Sequence, residues 1–83
     1  MTEQIARTPK QIAAALRRQR RSLGMTQNDL AGKAKLRQAT VSGIEAGETG
    51  TLRTLFDVVA ALDLELVVRP RTKGSMDKIE DLF

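Results

Sequence analysis

The sequence predicts a mainly α-helical fold of four to five helices, followed by one β-strand that pairs with its counterpart in a second copy of the chain. Three features predict this fold class. Apolar residues recur every three or four positions between residues 8 and 62, as they do on amphipathic helices. Within that region, two short helical segments flank a tight turn. Between residues 62 and 69, apolar and polar residues alternate, which is typical of a half-buried strand.

The first helix is expected to begin directly after Thr8. Thr8 can cap the helix, Pro9 suits the first helical position, and Gln11 can complete a capping box. The apolar stripe that should face the core consists of Ile12, Leu16 and Leu23. Gly24 is expected to end the helix in a left-handed conformation. Residues 1–7 show no clear periodicity and are predicted to be flexible.

The second and third helices are predicted within residues 25–47. Thr26 is a good N-cap, and the carboxylate of Asp29 favours a helix N-terminus. After a turn around residues 35–36, the next segment combines apolar residues with short polar side chains. This is the pattern of a helix-turn-helix, whose second helix offers hydrogen-bonding groups to base edges in the major groove of DNA.

Residues 47–50 are predicted to form a loop, because two of the four are glycines. A fourth helix should then run from a cap at Thr51 through Leu62. Its predicted core face consists of Leu52, Leu55, Phe56, Val59 and Leu62, which follow one another at helical spacing. Phe56 is therefore interpreted as a core residue rather than as a ligand contact.

Residues 63–70 are predicted to form a dimerisation strand. The apolar residues expected to hold it in the dimer are Leu64, Leu66, Val67 and Val68. One strand in an otherwise helical chain has no partner for its backbone N–H and C=O groups, which are costly to leave unpaired. Pairing with the same strand of a second copy around a twofold axis provides that partner. The alternative is a short extended segment packed on its own domain.

Composition bounds the function classes. The 83 residues suit one small domain. The sequence includes no cysteine, which excludes disulfides and thiolate chemistry, and no histidine, which is the commonest general base. We therefore expect no enzyme activity, no catalytic residue, no metal site and no cofactor. No apolar run approaches the length of a membrane span, and the first residues lack the apolar core of a signal peptide. The sequence predicts a soluble, cytoplasmic protein.

The charge of the chain is unevenly distributed. Residues 1–37 carry nine Lys/Arg against two Asp/Glu, a balance of +7, whereas residues 38–66 carry one Arg against five acids, a balance of −4. Residues 67–83 carry four bases and three acids, a balance of +1. A basic first half beside a helix-turn-helix favours attraction to DNA phosphates. The alternative interpretation is a solvated helix face that is rich in arginine.

The sequence resembles the Cro/repressor-type (XRE-like) helix-turn-helix family. The matching stretches are GMTQ (24–27), DLA (29–31), QATVS (38–42), IE (44–45) and Gly47. More narrowly, it looks like the HipB-type antitoxins, in which a compact repressor domain is followed by a strand that pairs across the dimer. The stretch QATVS, the strand over residues 64–69 and a tail that ends in an aromatic residue carry this closer likeness. The resemblance implies a helix-turn-helix DNA-binding domain over residues 8–62. Residues 71–83 begin with a polar stretch that contains Gly and Ser, and their composition predicts a flexible tail, with a docking peptide that orders on a partner as the alternative.

The resemblance also implies roles for individual residues. The side chains expected to read bases are Gln38, Ala39, Thr40 and Ser42. Those expected to bind phosphates are Gln27, Lys35, Arg37 and Arg53. Glu45 matches a position that usually supports the fold. Two residues depart from the family pattern. Arg37 replaces a small capping residue, which predicts a gained phosphate contact and a weakened helix cap. Gly43 replaces a longer base-contacting side chain, so more of the specificity is expected to come from DNA shape.

The partners implied by the HipB-type resemblance are a second copy of the chain, double-stranded operator DNA and a HipA-type serine/threonine kinase toxin. A dimer of such an antitoxin holds the toxin inactive and represses the shared operon from a palindromic operator. We expect the tail to contact the toxin through Ile79, Leu82 and Phe83. Two other functions remain open from sequence: a stand-alone XRE-type repressor without a toxin partner, and a small enzyme or adaptor on a helix-turn-helix scaffold.

Overall fold

The computed structural model describes residues 3–48 and 50–71, which form four α-helices joined by short turns. Helix α1 spans Pro9–Ser22, α2 spans Gln27–Ala34, α3 spans Gln38–Glu45 and α4 spans Leu52–Ala61. The mainly α-helical class is thus confirmed. Within the described residues, no helix is long and apolar enough to cross a membrane. The expected toxin-contact residues Ile79, Leu82 and Phe83 lie outside the described residues.

The helices begin where their capping residues predict. The Thr26 hydroxyl accepts from the N–H of Asp29 at 3.0 Å, and the Asp29 carboxylate accepts from the N–H of Thr26 at 2.9 Å. Thr51 caps α4 in the same reciprocal way. At the start of α1, the Thr8 hydroxyl accepts from the N–H of Gln11 as expected. The prediction that the Gln11 side chain completes a capping box by accepting from the N–H of Thr8 is wrong. The side-chain Oε1 of Gln11 accepts instead from the N–H of Arg7, one residue before the cap.

Left-handed residues end the helices and redirect the chain. Gly24 has φ +71° after α1, and Lys35 has φ +60° between α2 and α3. Gly47 follows α3 with φ +73°, and a Cβ there would lie 3.2 Å from the Cα of Lys10. This close approach brings the end of α3 against the start of α1.

The core lies where α2 packs against α3 and α4 while α1 packs against α3. The largest fully buried side chains are Leu16, Leu30, Val41, Val58 and Leu62, so every helix region supplies at least one. Burial of one such aliphatic side chain is worth about 1.5–3 kcal/mol relative to exposure.

The predicted core faces of α1 and α4 need correction. Leu23 is exposed, because α1 ends at Ser22 and helical periodicity no longer directs the next side chain inward. In α4 the buried residues are Val58, Val59 and Ala61, followed by Leu62. Leu52 and Phe56 were predicted to be buried, but they remain 73% and 50% exposed. The helix is apolar around most of its circumference, so the single-chain core covers only one side of it.

The segment after α4 turns back along the domain without forming a strand. Asp63 has φ +60°, and the N–H of Leu64 donates to the carbonyl of Val59 at 2.9 Å. Leu64 packs against the core, whereas Leu66 and Val67 are exposed and Val68 is 98% exposed. Among the described residues, no β-strand is present. A strand that pairs only with a second copy has no partner in a single chain, so the predicted dimerisation strand stays a prediction.

Candidate nucleic-acid interface

Two glutamines meet where the N-termini of α2 and α3 come together. Gln27 is the first residue of α2, and Gln38 is the first residue of α3. The amide nitrogen of Gln38 donates to the carbonyl oxygen of Gln27 at 2.7 Å, although the two residues are 11 positions apart. The structure therefore joins the principal residue expected to read bases to one expected to bind a phosphate. Gln38 is exposed, and Gln27 is half-buried.

A buried ion pair anchors this pair of glutamines from behind. The Gln27 amide nitrogen donates to Oε1 of Glu45, the last residue of α3, at 3.1 Å. Glu45 also accepts from Arg20 of α1 through two bonds, at 2.6 Å to Oε2 and 3.0 Å to Oε1. The third donor of Arg20, Nη1, lies 2.7 Å from the carbonyl oxygen of Met25. A continuous chain of hydrogen bonds therefore runs from α1 through the core to the exposed Gln38.

The electrostatics keep this ion pair charged. Burial of the Glu45 carboxylate acts to raise its pKa. This effect is outweighed by hydrogen bonds from Arg20 and Gln27 and by the positive charges of Arg20 and Arg17. The pKa of Glu45 therefore lies below its ordinary value. The hydrogen bond to Glu45 raises the pKa of Arg20 against the opposing effect of burial. Charge-assisted bidentate pairs of this kind have a fixed geometry. Glu45 is therefore a dependable acceptor for Gln27.

The hydrogen-bond chain sets which atoms face outward. Because Gln27 donates its amide nitrogen to a carboxylate, its carbonyl oxygen must point towards Gln38. Gln38 uses one N–H on that oxygen and keeps its own carbonyl oxygen and second N–H for another partner. An acceptor and a donor side by side match the N6 and N7 edge of adenine in the major groove. The side chain is thus oriented before any ligand arrives.

The other residues expected to read bases divide between two sides of α3. At about 100° per residue, Gln38, Ala39 and Ser42 share one surface of the helix. Ala39 and Ser42 are exposed there, and Gly43 leaves a gap beside them. Thr40 lies about 200° around the helix from Gln38 and is half-buried. The structure therefore places three of the four predicted side chains together, with Thr40 on the opposite edge.

Two of the three cationic residues expected to bind phosphates flank the start of α3. Lys35 is exposed at the left-handed turn before the helix, and Arg37 is its N-cap residue. Within the part of the chain that the structure describes, the Arg37 side chain makes no capping bond, in agreement with the weakened cap expected from sequence. Arg53 differs, because it lies near the start of α4 and its guanidinium is 3.9 Å from the Asp57 carboxylate. This exposed pair partly offsets its charge.

Arg20 and Glu45 were not among the predicted site residues, although they support the site directly. The sequence contains one signal that points to them. Arg20 stands four residues after the core residue Leu16, on the buried side of α1, where an arginine needs a carboxylate partner. Which carboxylate it binds depends on how α1 packs against α3, and that cannot be inferred from local sequence patterns.

Comparison with known proteins agrees with this geometry. A model of the helix-turn-helix family matches residues 16–68, which is more than half of the chain. Antitoxin HipB of Escherichia coli strain K12 is 32% identical over 74 residues, covering 88% of this chain and 84% of the relative. The chain belongs to the HipB-type antitoxin family of helix-turn-helix proteins. HipB of Escherichia coli O6:H1 is also 32% identical, with 79% of its length covered.

Solved structures of HipB share the fold of this family member. A HipB–O4 20mer complex superposes with a TM-score of 0.78 at 32% identity, covering 84% of this chain and 100% of HipB. A HipA–HipB–O2–O3 complex gives the same values. The restriction–modification controller protein C.AhdI from Aeromonas hydrophila is similar at a TM-score of 0.64 and 29% identity, over 69% of this chain. The HipB matches also cover a larger share of this chain than the C.AhdI match does.

Proposed function

We propose that this chain is a DNA-binding antitoxin that represses its own operon as a homodimer and neutralises a HipA-type kinase toxin in the bacterial cytoplasm. The observation that carries the DNA-binding part is the oriented pair Gln27 and Gln38 at the meeting point of two helix N-termini. The helix N-termini attract phosphates, and the basic first half of the chain adds a long-range attraction. Membership of the HipB-type family supports the antitoxin part.

In this proposal the N-terminal half of α3 lies in the major groove. Gln38 reads an adenine, the methyl group of Ala39 contacts a thymine, and Ser42 adds a short hydrogen-bonding group. Gln27 donates its remaining N–H to a phosphate at the groove edge, assisted by the N-terminus of α2. Lys35 and Arg37 hold phosphates on either side, which fixes the register without reading sequence. Gly43 contributes no contact, so DNA shape supplies part of the specificity.

The Gln38→Ala variant tests base reading. Its affinity for a duplex that covers the region upstream of its own coding sequence should fall by about 1–3 kcal/mol. Its affinity for a shuffled duplex of the same composition should stay unchanged, because Gln38 contacts bases rather than phosphates. Fluorescence anisotropy on both duplexes measures this difference. Equal losses on the two duplexes would contradict base reading by Gln38.

The exposed apolar residues support the homodimer. Leu66, Val67 and Val68 are exposed after α4, and Leu52 and Phe56 are exposed on α4. A second copy would cover the first group by strand pairing, which also satisfies the backbone groups of the segment. A Val67→Lys variant should shift the chain from dimer to monomer in light scattering coupled to size exclusion, and Lys33→Ala serves as a surface control. A monomeric wild-type chain at micromolar concentration would overturn this part.

The toxin contact is proposed for the tail beyond the described residues, through Ile79, Leu82 and Phe83. Removal of residues 76–83 should weaken capture of a HipA-type kinase in a pull-down while leaving operator affinity intact. Unchanged capture would place the toxin contact on another surface. If the full-length chain captures no HipA-type kinase, the chain acts as a stand-alone repressor, and the DNA-binding part of the proposal is unaffected.

A further inference from the structure

Helix α1 carries three exposed arginines in its second half, and they are not equivalent. Arg18 donates twice to the Gln4 carbonyl oxygen, with its Nε at 3.0 Å, so it is engaged by the N-terminal segment. Arg17 and Arg21 are exposed beside it. Across residues 3–48 and 50–71, neither Arg17 nor Arg21 forms a salt bridge. Their charges are therefore not offset by a contact within the described chain.

Arg17 lies next to the buried support of the glutamine pair. It precedes Arg20 by three residues, so the two side chains neighbour each other on α1. Arg20 turns inward to Glu45, while Arg17 stays in solvent. The positive charge of Arg17 acts on the same Glu45 carboxylate that receives the amide of Gln27. Arg17 thus lies within one helical turn of Arg20, whose partner Glu45 accepts from Gln27.

Arg18 points elsewhere. Successive side chains on a helix are separated by about 100°, so Arg18 lies roughly a quarter turn further from Arg20 than Arg17 does. Its contact with Gln4 confirms this direction, because Gln4 belongs to the segment that precedes α1. The two neighbours thus carry the same charge on the same helix but face different surroundings.

We propose that Arg17 extends the phosphate-binding surface from the glutamine pair onto α1, where its guanidinium binds a phosphate on the flank of the DNA strand that Gln27 contacts. This inference rests on the proposed DNA binding and adds a residue that the family resemblance did not assign. A guanidinium suits the site because its planar set of donors can hold two phosphate oxygens at once. The site lies outside the base-reading surface of α3, so Arg17 contributes affinity and register rather than sequence specificity.

The salt dependence of DNA binding by the full-length chain tests this assignment. The probe is a labelled random-sequence duplex, on which only phosphate contacts contribute. Each neutralised phosphate adds about 0.9 to the magnitude of the slope of log K against log salt concentration. Arg17→Gln should lower the magnitude of that slope by about 0.9 for each bound protomer. Arg17→Lys should retain most of the slope, because it keeps the charge.

Arg18→Gln is the matched control, since it removes the same charge from the adjacent position. It should leave the slope within error of the wild type, and circular dichroism should show all three variants fully folded at the temperature of the binding assay. An unchanged slope in Arg17→Gln would overturn the inference, and so would an equal decrease in Arg17→Gln and Arg18→Gln, which would indicate long-range charge alone. If the wild-type chain binds no duplex, the proposed function fails instead, so the two failures are distinguishable.

Discussion

The buried pair Arg20 and Glu45 gives the sharpest test of how the core supports the proposed DNA-reading surface. Replacing Glu45 with Met keeps the side-chain length but removes the acceptor of two bonds from Arg20 and one from Gln27. The side chains of Arg20 and Glu45 are only 10% and 2% exposed, so solvent cannot replace those bonds. Loss of one partner from such a pair costs about 3–5 kcal/mol. A domain of this size has a total stability of only about 4–12 kcal/mol.

The double variant Arg20→Met, Glu45→Met separates stability from function. With both charges removed, no unpaired ion remains in the core, and replacement by apolar residues of similar size is often neutral or stabilising. We therefore expect each single variant to be strongly destabilised and the double variant to recover most of the loss. Urea unfolding at a fixed protomer concentration measures all three. Losses under about 1 kcal/mol in the single variants, or additive losses in the double variant, would show that Arg20 and Glu45 are not a coupled buried ion pair.

The same double variant should bind DNA less selectively. Gln27 no longer has a carboxylate to orient its amide, so its carbonyl is no longer held towards Gln38. The upper limit of the loss is the value of one bidentate base contact, about 1–3 kcal/mol, on the upstream duplex. The salt dependence on a shuffled duplex should not change, because the exposed cations remain in place. Full selectivity in a stable double variant would show that Gln38 needs no support from the core.

Three further outcomes are expected. The pKa of Glu45 is lower in the folded chain than its ordinary value near 4.3, so its contribution to stability is complete above that pH and is lost as the pH falls through the folded pKa. Glu45→Gln removes this titration, so the free energy of unfolding, measured by circular dichroism, should depend less on pH in this variant than in the wild type. Lys35 has a left-handed φ of +60°, which glycine adopts without strain, so Lys35→Gly should raise the free energy of unfolding by about 0.5–1 kcal/mol. The same variant should weaken DNA binding. A lower free energy of unfolding would contradict the expected relief of strain. Gly47→Ala should lower the free energy of unfolding by about 1–3 kcal/mol, because the added Cβ would lie 3.2 Å from Lys10 and the backbone at this position is left-handed. An unchanged melting temperature would be evidence against that geometry.

Local patterns in the sequence predicted the helix starts and turns because those depend on neighbouring residues. The reciprocal caps of Thr26 with Asp29 and the left-handed Gly24 illustrate this. Periodicity was less informative in α4, where apolar residues surround most of the helix and leave its rotation undetermined. In the structure Val58 is buried and Phe56 is exposed, and which side of α4 is buried depends on how the other helices pack against it.

The candidate site was predicted as a set of residues but not as a connected structure. Gln27 and Gln38 were assigned separate tasks, and their mutual bond depends on the angle between α2 and α3. The support behind the two glutamines is also non-local, because Arg20 and Glu45 are 25 residues apart. The predicted dimerisation strand would take its backbone hydrogen bonds from a second chain, so a single copy does not test that prediction.

In the proposed function, two copies of this chain read one DNA site through the N-terminal half of α3. Selection of bound duplexes from a fully random library tests it most directly, because no operator has to be known in advance. We expect enrichment of an inverted repeat whose half-sites are separated by about one helical turn of DNA, roughly 34–36 Å, or by a multiple of it. An adenine in each half-site should lose its enrichment when Gln38→Ala is selected in parallel. A library that yields no enriched sequence, or a single unrepeated half-site, would show that the chain does not read DNA as a symmetric dimer.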